Sequence, residues 1–86
     1  MSHLHYDLGV ISNHNVVRVS LSEWANVLLL DDANYGRYKN GQQYNYYGGL
    51  VEQSPYNIRP PHRPHWNLVV DKGGYAGTVR ASVKIT

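Results

Sequence analysis

The sequence predicts an all-β fold, a small antiparallel β-sandwich of about seven short strands. Three observations carry that prediction. Several runs alternate apolar and polar residues with the two-residue period of a strand, turn residues separate those runs, and no amphipathic stretch exceeds two helical turns. A closed barrel is the alternative, because alternation does not reveal strand order. The 86 residues make a single domain, 1–86, of a size that buries only about 60 to 65% of its unfolded surface. With no cysteine, the core must come from aliphatics, two Trp and eight Tyr.

Leu4, Tyr6 and Leu8 alternate with His3, His5 and Asp7, which marks a first strand with one apolar face, ended by Gly9. After the turn-prone Ser12 to Asn15, Val17, Val19 and Leu21 alternate with Val16, Arg18 and Ser20 in a second strand. The third run, Val27 to Leu30, is apolar on both faces. It is therefore either a central strand roofed on its outer side, or a strand whose Leu28 and Leu30 face is shared between subunits. Asp31 to Gly41 suits one or two helical turns, with an Asp as N-cap, Tyr35 and Tyr38 on one face and Gly41 as the stop. Tyr44 to Tyr47 reads as a strand broken at Gly48-Gly49 and resumed from Leu50 to Glu52. Tyr56 to Arg59 suits a short edge strand, and the prolines from Pro60 to Pro64 require an irregular connection.

The C-terminal stretch from His65 to Ile85 reads as a β-hairpin. Gly73-Gly74 supplies two positive φ angles for a type I′ turn, and Leu68 opposite Val79, Trp66 opposite Ala81 and Val70 opposite Gly77 then share one apolar face. Val69, Asn67 and His65 fall on the other, mostly polar face. A one-residue slip would set Leu68 against Arg80.

The pieces LHYDLG, VVRVSLS, ANVLLLDDANYGRYKNG, YYGG, SP and HWNLVVDKGGYAGTVRASV resemble the bacterial family catalogued as domain of unknown function 1883. The order of aliphatic strand, Asn-Tyr loop, Ser-Pro and Trp-led hairpin also resembles small jelly-roll sandwiches. The resemblance implies a jelly-roll-like β-sandwich and transfers no catalytic residue. Some relatives are joined to signalling domains of the Toll/interleukin-receptor type, which implies an adaptor or sensor.

Among chemistry-bearing residues, His3 with His5 and His62 with His65 are the pairs that could ligate a divalent metal if a third ligand converged. Their spacing is not that of a metal motif, and neither metal nor cofactor is expected. Asp31-Asp32 lacks a calcium loop and serves better as a helix cap. No nucleophile motif, phosphate loop or dinucleotide fingerprint occurs, so the chain is expected not to be an enzyme. The net charge of +2 comes from scattered Lys and Arg. Nucleic acid is disfavoured as a partner, although Arg18, Arg80 and Lys84 would form a phosphate stripe if the second and last strands were neighbours.

The skewed aromatic content is the most suggestive feature: eight Tyr, two Trp and no Phe. Tyr buries a ring while offering a hydroxyl, so it serves half-wet recognition surfaces. Tyr35, Arg37, Tyr38, Tyr44, Tyr46 and Tyr47, with Trp66, are the candidate ligand- or partner-binding residues. The same rings would alternatively roof the two-sided apolar strand. The expectation is a non-enzymatic cytoplasmic binding or assembly module with a protein partner or a homo-oligomeric state. The alternative is a receptor for a small ligand or glycan. A start without a basic-then-apolar leader and the lack of any long apolar run predict no membrane association.

Overall fold

The structure is a computed structural model that describes residues 3–75 and 77–86. Along the chain the elements are β1 (Leu4–Val10), β2 (Val17–Leu21), β3 (Ala25–Asp31), α1 (Asp32–Lys39), β4 (Tyr47–Val51), β5 (Tyr56–Ile58), β6 (His65–Asp71) and β7 (Ala81–Ile85). The strands form two antiparallel sheets, one in the order β1-β6-β3-β4 and the other β5-β2-β7. Their pairings are nested: β1 with β6, β2 with β5 and β3 with β4. Nested pairs describe one long hairpin with α1 near its tip, folded over so that its middle pair falls in the second sheet. This is the winding of a jelly roll, and the sandwich predicted from sequence is the one observed.

Between the sheets, each strand contributes its alternate residues. Val17 and Val19 of β2 meet Val27 and Leu29 of β3 and Trp66, Leu68 and Val70 of β6, all 1% exposed or less. Fully burying a side chain of this size contributes about 1.5–3 kcal/mol, which makes this layer the main source of stability. A second, smaller cluster lies on the outer side of the four-stranded sheet. There Leu28 and Leu30 of β3 and Val69 of β6 are covered by Tyr35, Tyr38 and Tyr44. The two-sided apolar strand is thus roofed within one chain, and the expectation of a Leu28 and Leu30 face shared between subunits is corrected.

The roof forms where an N-cap was expected. The Asp31 carboxylate accepts from the Asn34 backbone N–H at 2.8 Å, and Gly41 lies just beyond the helix with φ +71°. α1 is two turns long, and Tyr35 and Tyr38 share its inner face.

The expected C-terminal hairpin is not present. Its turn forms: Gly73 and Gly74 have φ of +63° and +93°, and the Tyr75 N–H donates to the Lys72 carbonyl at 3.1 Å. The strands on either side of it do not pair, because β6 is central and both its edges are occupied, by β1 and β3. The returning chain has no edge to join and crosses to the other sheet, where Val83 of β7 stands opposite Val19 of β2. The supposed polar face of β6 misled for a related reason. Val69 and Asn67 are 0% and 3% exposed, beneath or beside α1.

Two boundaries also move. β1 runs through Gly9 to Val10, with a bulge between Asp7 and Gly9 that leaves Leu8 as the extra residue. The glycine pair lies inside β4, whose start at Tyr47 leaves Tyr44 to Tyr46 outside the strand. Gly48 has φ +110°, and a Cβ there would stand 2.2 Å from the Val27 carbonyl oxygen, so no other residue fits.

Candidate functional site

The register of the four-stranded sheet arranges its outer face in rows. Asn26 of β3 pairs with Asp71 of β6 on one side and Leu50 of β4 on the other, and His3, just before β1, borders the same row. The middle row is His5, Val69, Leu28 and Gly48, and the third is Asp7, Asn67 and Leu30. α1 covers the apolar middle. The first row remains open as the floor of a groove of about 780 Å³, walled by Tyr38, Lys39, Tyr44 and Tyr46 and rimmed by Leu50.

Asp71 is the polar centre of that floor. Only 7% exposed, its Oδ1 accepts from Asn26 Nδ2 at 3.0 Å and from the Gly73 N–H at 2.9 Å, while the Tyr38 hydroxyl donates to Oδ2 at 2.5 Å. Burial, reinforced by the hydrogen bond to Asp71, holds the Tyr38 hydroxyl pKa well above the usual phenol range, so it remains a donor at any working pH. Burial, followed by the charge of Asp71, also raises Tyr44. Tyr38 and Tyr44 meet edge to face at 5.3 Å, and Tyr46 tilts against Tyr44 at 5.7 Å. The wall is therefore a chain of three rings presenting both faces and edges.

A second polar group occupies the other end of the sheet. His65 bridges Asp7 through Nε2 and Asp32 through Nδ1, the latter at 3.2 Å. Asn67 donates to Asp32 at 2.8 Å and accepts from His5 at 2.8 Å, and the His5 ring stacks on Tyr35 at 4.0 Å. The hydrogen bond to Asp7 raises the His65 pKa, and the same bond lowers that of Asp7. These contacts tie β1, β6 and the first turn of α1 together, so their role is to seat the roof.

The candidate residues are thus divided. Tyr38, Tyr44 and Tyr46 converge on the groove. Tyr35 lies behind them, hydrogen-bonded to His3 at 3.2 Å, with Lys39 Nζ 4.7 Å over its ring. Arg37 is exposed and donates to Asn34. Tyr47 turns to Trp66, 6.0 Å away, and Trp66 is a core residue at 1% exposure whose indole donates to the His62 carbonyl, so its assignment to a binding surface is corrected. His3 and His5 contact Tyr35, whereas His65 lies between carboxylates. Among the described residues no three His, Asp or Glu side chains converge as a metal site requires.

Asn26, Asp71 and Lys39 are not singled out by the sequence, and His3 is singled out only as a candidate metal ligand. Strand parity held the signal: Asn26 shares a face with Leu28 and Leu30, and Asp71 shares one with Asn67 and Val69. The missing knowledge was that β3 and β6 are neighbours.

A family model described as "Domain of unknown function (DUF1883)" matches residues 1–86, the whole chain. The chain belongs to this family. No curated protein and no solved structure matches it. In this DUF1883 member the groove is the feature that points to a function. No helix among the described residues is long and apolar enough to cross a membrane.

Proposed function

We propose that this DUF1883 protein is a non-enzymatic binding module that receives a small ligand in the groove between α1 and β4. The observation that carries the reading is Asp71, a nearly buried carboxylate held by three neutral donors at the floor of an open groove with tyrosine walls. Concave sites with aromatic walls and a few convergent polar groups are the usual form of a ligand pocket. The equipment is that of recognition: ring faces, acceptors and a polar floor, and among the described lining residues the hydroxyl that meets a carboxylate, Tyr38 on Asp71, is held protonated by burial rather than activated.

Amide shifts in isotope-labelled protein, titrated with separate panels of neutral sugars, amines and nucleotides, test the reading. It expects saturable shifts at Asn26, Gly49 and Gly73, weakened by Tyr44→Ala. Shifts that arise only elsewhere, or no shifts with any panel, overturn it.

The free edge of β4 supports a second reading. Tyr46, Tyr47 and Leu50 are 47%, 48% and 61% exposed along or beside the outermost strand of the sheet, and such an edge can pair with another chain. Protein recognition or self-association through β4 would make the same amides shift with protein concentration, without added ligand.

A further inference from the structure

We infer that the ligand of the groove carries an ammonium group, primary or methylated, seated against Asp71 beside the rings of Tyr38, Tyr44 and Tyr46. The inference rests on the groove being the binding site and adds the chemical class of what it binds.

The hydrogen-bond inventory of the floor leads to this class. A carboxylate offers about four lone-pair sites, and Asp71 has three of them filled, by Asn26, Gly73 and Tyr38. Those bonds also commit the donor of Gly73, the hydroxyl proton of Tyr38 and one N–H of Asn26. What the floor presents outward is therefore mainly acceptors: the remaining site on Asp71, the Asn26 amide oxygen and the phenolic oxygen of Tyr38. A ligand must bring donors to such a floor.

Charge selects among donors. All three partners of Asp71 are neutral, and among the described residues no ion pair includes it. The neighbouring cations are directed elsewhere. Lys72 pairs with Glu23, donates to the Trp24 carbonyl at 3.0 Å and lies 3.7 Å over the Trp24 ring. Lys39 is at the groove wall but stands over Tyr35. Burial first, and then His5, lower the pKa of His3 against the opposing pull of Asp71, so it takes up a proton less readily than a free imidazole. A sugar hydroxyl would satisfy the acceptor but leave the charge of the nearly buried carboxylate unanswered. A primary or partly methylated ammonium satisfies both, whereas a fully methylated one has no N–H and answers the charge alone; in either case the methyl or methylene groups place positive charge within reach of the tyrosine faces, an attraction that operates to about 6 Å from a ring centroid. The groove is much larger than such a head, so the group belongs to a larger molecule.

Calorimetric and amide-shift titrations of the full chain with choline, propylamine and 3,3-dimethyl-1-butanol separate the alternatives. The last is the uncharged carbon isostere of choline. The expected result is that choline or propylamine binds at least about tenfold more tightly than the isostere, with shifts at Asn26 and Gly73. Asp71→Asn, similar in shape, should abolish that preference, and Tyr46→Ala, at an exposed position that folding tolerates, should weaken amine binding about three- to tenfold. If the isostere or neutral sugars bind as tightly as the amines, the ammonium inference falls while the groove remains a binding site. If no probe of any class perturbs the groove, both readings fall.

Discussion

Replacing Val69 with Thr tests the double-sided burial of β6 at a single atom. The two side chains are nearly equal in size, but Thr brings a hydroxyl into the cluster of Leu28, Leu30, Tyr35, Tyr38 and Tyr44. Val69 is 0% exposed, and burying a hydroxyl that lacks a good partner costs about 1–3 kcal/mol. At about 2.1 cal/mol/K per residue, the 86 residues have an unfolding entropy of about 0.18 kcal/mol/K, so each kcal/mol moves Tm by about 5.5 °C. The expected fall in Tm is therefore about 5–16 °C, read by reversible thermal melts followed by circular dichroism. Val10→Thr is the control, since Val10 is 58% exposed and its change should stay within about 0.5 kcal/mol, or 3 °C. A Val69→Thr protein that melts together with the Val10→Thr control would mean that this face of β6 is solvated, and the α1 roof with the groove beside it would be refuted.

Three further outcomes are expected. Gly48→Ala should lower stability by more than about 2 kcal/mol, since it adds left-handed strain of about 1–2 kcal/mol to a backbone collision at Val27; a melt within 3 °C of wild type contradicts the close approach of β4 to β3. The Asp7–His65 contact should have a pH window. The raised pKa of His65 makes its contribution full below the ordinary 6.5 and lost as pH rises through the raised value. The lowered pKa of Asp7 makes its contribution full above the ordinary 3.8 and lost as pH falls through the lowered one. The Tm difference between wild type and Asp7→Asn should thus be largest between about pH 4 and 6.5, and a difference that keeps growing above pH 8 is incompatible with the contact. Val79→Arg should destabilise the domain by about 1–3 kcal/mol, because Val79 packs on the inner core, whereas exposed Arg80→Val should fold normally. The reverse order in denaturant melts would displace the crossing from β6 to β7.

Much of this molecule is written locally in its residues. Alternation locates β1 and β2, the flanking prolines bound β5, the N-cap chemistry of Asp31 begins α1, and Gly73-Gly74 makes its turn, because each depends on interactions a few residues long. The pairing of strands is different in kind. A two-residue period tells which faces a strand has, but backbone N–H and C=O groups are the same at every edge, so alternation does not say which strand lies alongside. Taken locally, the Gly-Gly turn joins two partner strands, whereas β6 already has β1 and β3 on its edges and β7 pairs with β2. The groove inherits that dependence. Tyr38, Tyr44 and Tyr46 were visible as a cluster in sequence, but Asn26 and Asp71, 45 residues apart, meet only through the β3–β6 register. Trp66, conspicuous in sequence, shares its strand face with Leu68 and Val70 and lies in the core with them. The period, caps and turns of the individual elements are local properties, legible in the residues that make them. The tertiary structure alone decided which carboxylate lies beneath which rings, since that arrangement follows from burying both faces of the central strands at once.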